Sequence, residues 1–546
     1  MIAVDTETSG ELLFTAKHYP RLIGFASSPE SYRYTTNFVG NKDRFNTPGE
    51  TYWQWSTNYD AHVVDLAGFK IDISQWNDLK IPFKLYDERV DWTFENALIH
   101  CGIPNHKYLR KSWEAEGYTW ATVGLPQLTE YNKLDVVRMF PLHDYIKGKY
   151  DETQNRFLQA TNQALYKMRR YGIAFDQEFS HKIQAEFQTE LEITESLLIE
   201  LAGKEINWNS MREVAEVLES KGIKVPKTPK GNPSIKREFL ETLPEDNEFS
   251  KLLVLKSKLL KRKSTYIDGY QESLGSDGLL HSDLGLNAKT WRFSSRNPNV
   301  QNTPRGDIVR RQIVSRFNNG ILLSGDASQL EPRLIANVTQ DKNMIDAYLA
   351  GRDIYQEMAD KFGVTRYVAK QAFLAVCYWA QSWKLHKAFG FTLPQADQFR
   401  LMIYSMFPGI KVWHNNVERQ VKETGKVVSL FGRIRRTDSP TEGTNTNIQT
   451  TGHDLNKMAM IRMQELREVY GFQSSLCLEV HDDLTHDIHP DEYKPYLDKV
   501  VRPVYNGILD EVERWFGRET RDMVKVPIKF ELKQGPNLYS MEKVND

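Results

Sequence analysis

Two apolar segments, far apart in the chain, each lead into aspartate. Residues 320–325 have the character of a buried strand that ends at Asp326. Residues 476–488 form two β-like runs on either side of Asp482 and Asp483. A hairpin places the residues between its strands at its tip. The pattern therefore restricts the fold to one with a sheet whose strands end in carboxylates.

Each of these acids also has an ordinary interpretation. Asp326 could cap the helix that Pro332 begins, although it stands several residues ahead of that proline. Asp482 and Asp483 could belong to a simple turn, but adjacent acids repel each other and a divalent cation relieves that repulsion. Carboxylates that meet across a sheet predict a two-Mg²⁺ site for in-line phosphoryl transfer.

Between the two acidic segments lies a helix-like run with functional residues on one face. Arg366, Lys370, Leu374 and Tyr378 recur every four residues and share that face. Two cations suit a triphosphate, and the apolar part suits a base. A surface helix with two incidental cations is the alternative.

The composition is that of an ordinary globular protein with several domains. The chain has 546 residues, of which 40% are hydrophobic and 26% charged. No apolar run approaches the ~20 residues of a membrane span, and no secretion signal begins the chain, so we expect a cytoplasmic protein that binds no membrane. The three cysteines are scattered, which predicts reduced thiols.

Three regions follow one another. Residues 1–150 predict an α/β domain that ends in a helix over 128–147. Amphipathic helices over 179–201, 210–221 and 249–266 predict a helical arm, and strands alternate with helices beyond residue 275. The net charge is −1, so any nucleic-acid footprint is local. Residues 251–263 are either a solvated helix face or a phosphate contact, and residues 289–316 contain seven basic residues against one acid.

Together these patterns resemble the family A DNA polymerases, the DNA polymerase I family. Asp326-Ala-Ser-Gln-Leu-Glu-Pro-Arg, Arg366-x₃-Lys370-x₇-Tyr378 and His481-Asp482-Asp483 resemble that family's motifs A, B and C, in its order. Similar matches are Thr290-Trp-Arg292-Phe-Ser-Ser, Gly351-Arg-Asp-Ile, Leu430-Phe-Gly-Arg433, and Gln449 with Asp454.

The resemblance implies an α+β polymerase domain over residues 151–546. Its parts would be a thumb at about 180–270, a palm at about 275–340 and 430–546, and fingers at about 341–430. It implies that Asp326 and Asp482 bind two Mg²⁺ ions, that Mn²⁺ can replace them, and that Asp483 is an auxiliary catalytic acid.

Further roles are carried over from the same family. Residues implied to bind the incoming nucleotide are Arg366, Lys370, Leu374, Tyr378, Glu331 and Gln329, with Lys370 also catalytic and Glu331 excluding a ribose 2′-hydroxyl. Residues implied to bind primer-template DNA are Arg292, Gln301, Asn302, Gln449, His481, Lys258 and Lys263. On this basis the segments 251–263 and 289–316 become contacts for the duplex backbone.

A second acidic group lies in the first region. Asp5 and Glu7 alternate on one side of a strand, and Tyr131 lies one helical turn from Asp135. With Asp60, this set resembles 3′-to-5′ exonucleases of the DEDD family, tyrosine subtype. The resemblance implies a ribonuclease H-like domain over residues 1–150, catalysis by Tyr131, and metal ligands Asp5, Glu7, Asp60 and Asp135. Asp65 is the rival of Asp60.

Three positions depart from the polymerase pattern. Leu374 stands where an aromatic residue usually contacts the nucleotide, Trp379 replaces a glycine, and Tyr355 stands where histidine is common. These departures concern nucleotide selectivity rather than the class of reaction.

We therefore predict a monomeric DNA polymerase with proofreading, which uses primer-template DNA and dNTPs in the replication of a phage. No 5′ nuclease domain is expected ahead of Asp5, and the sequence names no replisome partner. Two alternatives stay open: a nuclease whose polymerase half has decayed, and a DNA-binding protein without catalysis.

Overall fold

A computed structural model describes residues 1–10, 13–16, 18–56, 58–208, 210–243, 247–480 and 482–544. His481, a predicted DNA-binding residue, lies outside the described residues. None of the described helices combines the length and the hydrophobicity that a membrane span requires.

The first 150 residues form an α/β unit. Its strands are β1 (Ile2–Thr8), β2 (Pro20–Ala26), β3 (Arg33–Thr35), β4 (Tyr52–Gln54) and β5 (Trp76–Asp78). Its helices are α1 (Tyr59–Leu66), α2 (Lys80–Tyr86), α3 (Phe94–His100), α4 (Tyr108–Ala115) and α5 (Leu125–Ile146). The sheet has the order β3-β2-β1-β4-β5, with β2 antiparallel and β4 parallel to the central β1. Helix α5, predicted over 128–147, packs against β1.

A helical arm follows. It contains α6 (Glu152–Tyr171), β6 (Ile173–Phe175), α7 (Gln177–Ala202), α8 (Met211–Ser220), α9 (Arg237–Leu240), α10 (Glu248–Lys261) and α11 (Gly269–Glu272). Side chains of Asp176, Ser210 and Asn247 cap α7, α8 and α10 by accepting main-chain N–H bonds, which explains where these helices begin. The helix predicted over 249–266 ends as an α-helix at Lys261 and continues as a π-helical segment, Arg262–Asp268.

Strands and helices alternate in the remainder. The strands are β7 (Leu279–Leu280), β8 (Asp283–Gly285), β9 (Ser294–Arg296), β10 (Ile313–Val314), β11 (Ile321–Ala327), β12 (Lys426–Val428), β13 (Ile434–Arg436), β14 (Ser475–Val480), β15 (Asp483–Ile488), β16 (Phe530–Gly535) and β17 (Glu542–Lys543). The helices are α12 (Leu330–Thr339), α13 (Lys342–Leu349), α14 (Ile354–Phe362), α15 (Arg366–Cys377), α16 (Ser382–Phe389), α17 (Leu393–Met406), α18 (Pro408–Thr424), α19 (Pro440–Tyr470), α20 (Tyr493–Tyr496), α21 (Arg502–Asn506), α22 (Ile508–Phe516) and α23 (Arg518–Asp522).

An antiparallel sheet and one long helix organise this region. The sheet has the order β14-β15-β11-β16-β17. Helix α19 is buried along most of its length and packs against α12, α18, α22, β14 and β15. Gly452 permits the close approach of α12, because a Cβ there would lie 3.1 Å from Leu330 and Leu334. Apolar side chains of the sheet and of these helices share one core.

The segment predicted to turn from strand to helix differs slightly from expectation. Strand β11 continues through Asp326 to Ala327, and α12 begins at Leu330 instead of Pro332. Proline fits within a first helical turn, because the N–H that it lacks would have no partner inside the helix there.

Candidate active site

Strand register brings the C-terminal acids together. Asp326 on β11 is paired directly with Asp483 on β15, and Asp482 immediately precedes β15. The hairpin predicted around the two aspartates is present as β14 and β15. Residues paired across antiparallel strands have Cα atoms only about 5 Å apart. Three carboxylates therefore share one end of the sheet.

Asp483 is held by two hydroxyl groups. Its Oδ2 accepts a short hydrogen bond from Ser324, and its Oδ1 accepts one of 3.1 Å from Thr485. Burial raises the pKa of Asp483, the Ser324 bond opposes that rise, and the charge of Asp326 adds to it. Because both oxygens are already bonded, Asp483 is suited to an auxiliary role.

Asp482 is more exposed than Asp483, and both positive and negative side chains act on its carboxylate. Burial raises the pKa of Asp482 to about 6; Arg292 opposes the rise, and Asp326 and Glu331 add to it. Carboxylate oxygens are the donors that Mg²⁺ prefers. Asp326 is half-buried and its charge acts on Asp482, so that these two carboxylates supply oxygen donors of the kind that a hard divalent cation takes.

A histidine that the sequence pattern did not indicate joins this group. Nε of Arg292 donates a hydrogen bond of 2.5 Å to Nε2 of His453, and Nδ1 of His453 lies 3.6 Å from Oδ1 of Asp482. Because Nε2 accepts, Nδ1 carries the proton of a neutral ring and faces the carboxylate. The one available signal was spacing, since His453 follows Gln449 by one helical turn.

A buried glutamate on β14, within the hairpin, was also missed. Oε2 of Glu479 accepts a hydrogen bond of 2.5 Å from Gln301, a predicted DNA-binding residue. Burial raises the pKa of Glu479 well above its usual range. Glu479 therefore fixes the orientation of the Gln301 amide.

Helix α15 begins at the cations and ends beside Glu331. Arg366 is exposed, lies 2.7 Å from Asp353, and packs over the ring of Tyr355. Lys370 and Leu374 are half-buried, and Leu374 packs against the core. Tyr378 follows the last helical residue, and burial and then the charge of Glu331 raise its pKa.

The remaining predicted nucleotide and DNA contacts differ in exposure. Gln329 is exposed, and its backbone adopts the left-handed conformation, with φ 52°, immediately before α12. Gln449 is half-buried on α19. Asn302 is exposed, and its carbonyl accepts a hydrogen bond of 2.8 Å from Tyr266. Lys258 is exposed.

The basic segment 251–263 is divided between surface and ion pairs. Lys263 lies 2.9 Å from Asp268. Lys256 is buried beside Glu195, and Arg262 lies 2.5 Å from Asp307. Only part of the segment's positive charge is therefore available to a phosphate backbone.

A second acidic cluster lies on the central strand of the N-terminal unit. Donor oxygens of Asp5, Glu7 and Asp135 lie within 4.8 Å of one another. Burial, and then the charge of Asp135, raise the pKa of Asp5 and of Glu7 well above their usual range. Asn132 donates a hydrogen bond of 2.7 Å to Asp5. Crowded acids of this kind fit a divalent cation.

Asp60 lies beside this cluster rather than within it. Its carboxylate accepts hydrogen bonds from the main chain of Thr6 at 2.9 Å and from Ser56 at 2.5 Å. Burial raises the pKa of Asp60 to about 6, and its charge contributes to the raised pKa of Asp5. Asp65 instead lies 2.6 Å from Arg170 on α6. The geometry thus favours Asp60 over its rival.

Basic side chains meet the same cluster. Nζ of Lys107 lies 3.0 Å from Asp135 and donates a short hydrogen bond to the hydroxyl of Tyr131. The cluster opens into a cavity of about 470 Å³, whose walls include Lys107, Arg110 and Lys111. No local sequence pattern pointed to Lys107, because it lies far from every acid of the cluster in the chain.

Comparison with known proteins identifies the family of this chain. The model of the family described as DNA polymerase family A matches residues 177–540. DNA polymerase I of Chloroflexus aurantiacus is 30% identical over 411 residues, which are 69% of this chain and 42% of that protein. DNA polymerase I of Borreliella burgdorferi is 26% identical over 535 residues, which are 88% of this chain and 58% of that protein.

A solved structure is similar in fold over almost the whole chain. It is the POL domain of Pol1 from M. smegmatis in complex with DNA primer-template and dNTP, with a TM-score of 0.79 and 19% identity. The match covers 99% of this chain and 95% of that one. The chain spans about half the length of the curated relatives that it matches. Because the family model matches more than half of its residues, the chain belongs to DNA polymerase family A.

Proposed function

We propose that the chain is a DNA-templated DNA polymerase that adds deoxynucleotides to the 3′ end of a primer. The register of β11 with β15 carries the proposal, because it gathers Asp326, Asp482 and Asp483 at one end of a sheet. Family membership supports the same reaction, and the M. smegmatis neighbour is a complex with DNA primer-template and dNTP. In this proposal the sheet β14-β15-β11-β16-β17 belongs to the palm. Helices α13–α18 belong to the fingers, and helices α7–α11 belong to the thumb.

The side chains around the acids have complementary tasks. Two Mg²⁺ ions, when bound, would lower the pKa of the primer 3′-hydroxyl and neutralise charge on the leaving pyrophosphate. Asp326 and Asp482 would hold them, with Asp483 in support. Arg366 and Lys370 bind the triphosphate oxygens, whose negative charge grows as the bond to pyrophosphate breaks.

Neighbouring residues select and align the reactants. Glu331, beside Tyr378, excludes a ribose 2′-hydroxyl from the nucleotide site. Arg292 binds the primer end, and its bond to His453 holds it near Asp482. Gln301, Asn302 and Gln449 are the proposed contacts to the primer-template duplex.

We also propose a 3′-to-5′ exonuclease in the N-terminal unit, on a ribonuclease H-like fold. The observation that favours this second activity is the triad Asp5, Glu7 and Asp135, with donor atoms within 4.8 Å. Lys107, Arg110 and Lys111, among the residues that line the adjoining cavity, suit the phosphates of a single strand. Asp60 supports the metal site, and Tyr131 orients the attacking water.

One pair of assays tests both activities. Primer extension and single-strand digestion are measured with Mg²⁺ for the wild type, Asp326→Ala and Asp5→Ala. We expect Asp326→Ala to lose extension and keep digestion, and Asp5→Ala to do the reverse. Asp60→Ala should also lose digestion, whereas Asp65→Ala should keep it.

The same assays discriminate the alternatives. A wild type that digests but never extends would support a nuclease with a decayed polymerase half. A wild type that binds primer-template and does neither would support a non-catalytic DNA-binding protein. A role in replication, a phage origin, a monomeric state and a cytoplasmic location stay predictions.

A further inference from the structure

One face of helix α2 in the N-terminal unit contacts the loop that precedes Arg292. Lys80 and Lys84 lie one helical turn apart on this face, and Glu88 follows two residues after the end of the helix. Nζ of Lys80 lies 3.1 Å from the side chain of Asn287, and Glu88 accepts hydrogen bonds from the main chain and side chain of Arg436. Three side chains within residues 80–88 therefore contact the polymerase region.

Lys84 makes the most deeply buried of these contacts. Its side chain is 2% exposed, and Nζ donates hydrogen bonds of 2.6 Å to the carbonyls of Leu286 and Ala288. The same Nζ lies 3.8 Å from the ring centres of Trp92 and Trp291. A buried ammonium is costly unless its donors are satisfied, and a desolvated cation gains most from aromatic faces. Lys84 thus contacts both the main chain of this loop, at Leu286 and Ala288, and the side chain of Trp291.

Trp291 adopts a conformation that needs such support. Its φ is 60°, in the left-handed region that residues other than glycine rarely adopt, and its side chain is buried. Arg433 lies 5.2 Å from the ring centre and forms a buried ion pair with Asp454 on α19. Trp291 therefore packs between the amino group of Lys84 in the N-terminal unit and the guanidinium of Arg433 beside α19.

The next residue, Arg292, reaches the acids. It donates to His453, which follows Gly452 and precedes Asp454 on α19, and His453 lies 3.6 Å from Asp482. A rotation of the main chain at Trp291 would redirect the side chain of Arg292. The contacts of Lys84 are thus connected with Asp482 through two consecutive residues.

We propose that Lys84 is a positioning residue for primer extension. It fixes residues 286–291 in the conformation that directs Arg292 to His453 and Asp482, so that the N-terminal unit supports the polymerase site as well as its own acidic cluster. The inference rests on the polymerase function proposed above.

The first experiment removes the amino group of Lys84 and keeps the length of its side chain. Lys84→Met is compared with Lys84→Gln, which retains one amide donor, and with Lys42→Met as the matched control. Lys42 also donates to a carbonyl, that of Phe38, and lies over a ring, that of Phe69, but entirely within the N-terminal unit. Single-nucleotide extension should fall about tenfold or more for Lys84→Met, less for Lys84→Gln, and remain unchanged for Lys42→Met.

A double-mutant cycle separates positioning from general destabilisation. Rates are measured well below the unfolding transition of each variant. In an Arg292→Ala background, Lys84→Met should cause little further loss, because its effect passes through Arg292. A loss that adds in full to that of Arg292→Ala would overturn the inference. If Lys84→Met does not fold, the same cycle is run with Lys84→Gln, and the same criteria apply.

The failure of this inference can be distinguished from failure of the proposed function. A wild type that extends normally, beside a folded Lys84→Met that extends equally well, would overturn only the role of Lys84. A wild type that extends no primer would overturn the polymerase function and this inference with it.

Discussion

Nζ of Lys107 lies 3.0 Å from Oδ1 and 3.1 Å from Oδ2 of Asp135, so that a lysine binds the carboxylate proposed as a metal ligand. Burial raises the pKa of Asp135, but the charges and hydrogen bonds of Lys107 and His106 together outweigh burial and leave the pKa below its usual value. His106 contributes in the same direction from 2.9 Å. The ammonium thus competes with a divalent cation for the same oxygens.

Removal of this lysine should strengthen metal binding. We expect Lys107→Met to bind Mn²⁺ about tenfold more tightly, which corresponds to about 1.4 kcal/mol. Isothermal titration calorimetry measures the Mn²⁺ affinity. The titrated chain also carries Asp326→Asn and Asp482→Asn, so that the measured heat comes from binding at the N-terminal cluster. Lys111→Met, on the wall of the same cavity, is the control and should change affinity less. Equal or weaker binding by Lys107→Met would contradict the competition.

The raised pKa of Asp482 predicts a pH-dependent stability in the absence of metal. Because its pKa is about 6 in the fold, against a usual value of 3.8, this group's contribution to stability is present below pH 4 and is lost as pH rises through 6. Asp482→Asn should therefore be more stable than the wild type at pH 8 in EDTA, by about 3 kcal/mol, with the difference vanishing near pH 4. Urea unfolding across this range measures it.

An exposed acid provides the control for that experiment. Asp522→Asn, on the surface of α23, should follow the wild-type profile between pH 4 and 8. A constant offset between Asp482→Asn and the wild type across this range would exclude titration of Asp482 as the cause.

Leu374 should limit how tightly the nucleotide is held. Leu374→Phe places a ring on the half-buried face of α15, where stacking on a base contributes about 1 kcal/mol. We expect a KM for dNTP about fivefold lower, or more frequent dideoxynucleotide incorporation. Steady-state incorporation measures both. Tyr367→Phe, on the exposed face of the same helix, is the control, and unchanged constants for both nucleotide types in Leu374→Phe would reject the role.

The glycine before Asp326 sets the distance between β11 and α21. A Cβ on Gly325 would lie 2.3 Å from the hydroxyl of Tyr505, which donates a hydrogen bond to the Gly325 carbonyl. Gly325→Ala should lower the free energy of unfolding by about 1–3 kcal/mol and slow extension, since β11 carries Asp326. Gly40→Ala, whose Cβ would meet no atom within 4 Å, is the control. Chemical denaturation measures the free energy of unfolding of both variants. A Gly325→Ala variant as stable as the wild type would contradict the close contact.

Local patterns predicted the elements that bear the functional residues. Alternation identified β1 with Asp5 and Glu7 on one side, and turn residues identified the hairpin with Asp482 and Asp483. Helical spacing identified α15. The periodicity of each of these elements is visible within a few neighbouring residues, so that the sequence alone predicts them. The predicted helix start at Pro332 was two residues late, because proline is compatible with several positions in a first turn.

Only the tertiary structure decided which distant groups meet. The sequence by itself determined the acids, their strands and the cationic helix, because each depends on the periodicity of neighbouring residues. The tertiary structure decided that His453 lies between Arg292 and Asp482, that Lys107 binds Asp135, and that Lys84 holds Trp291. Those contacts depend on strand register and on the packing of elements far apart in the chain, which local spacing does not encode.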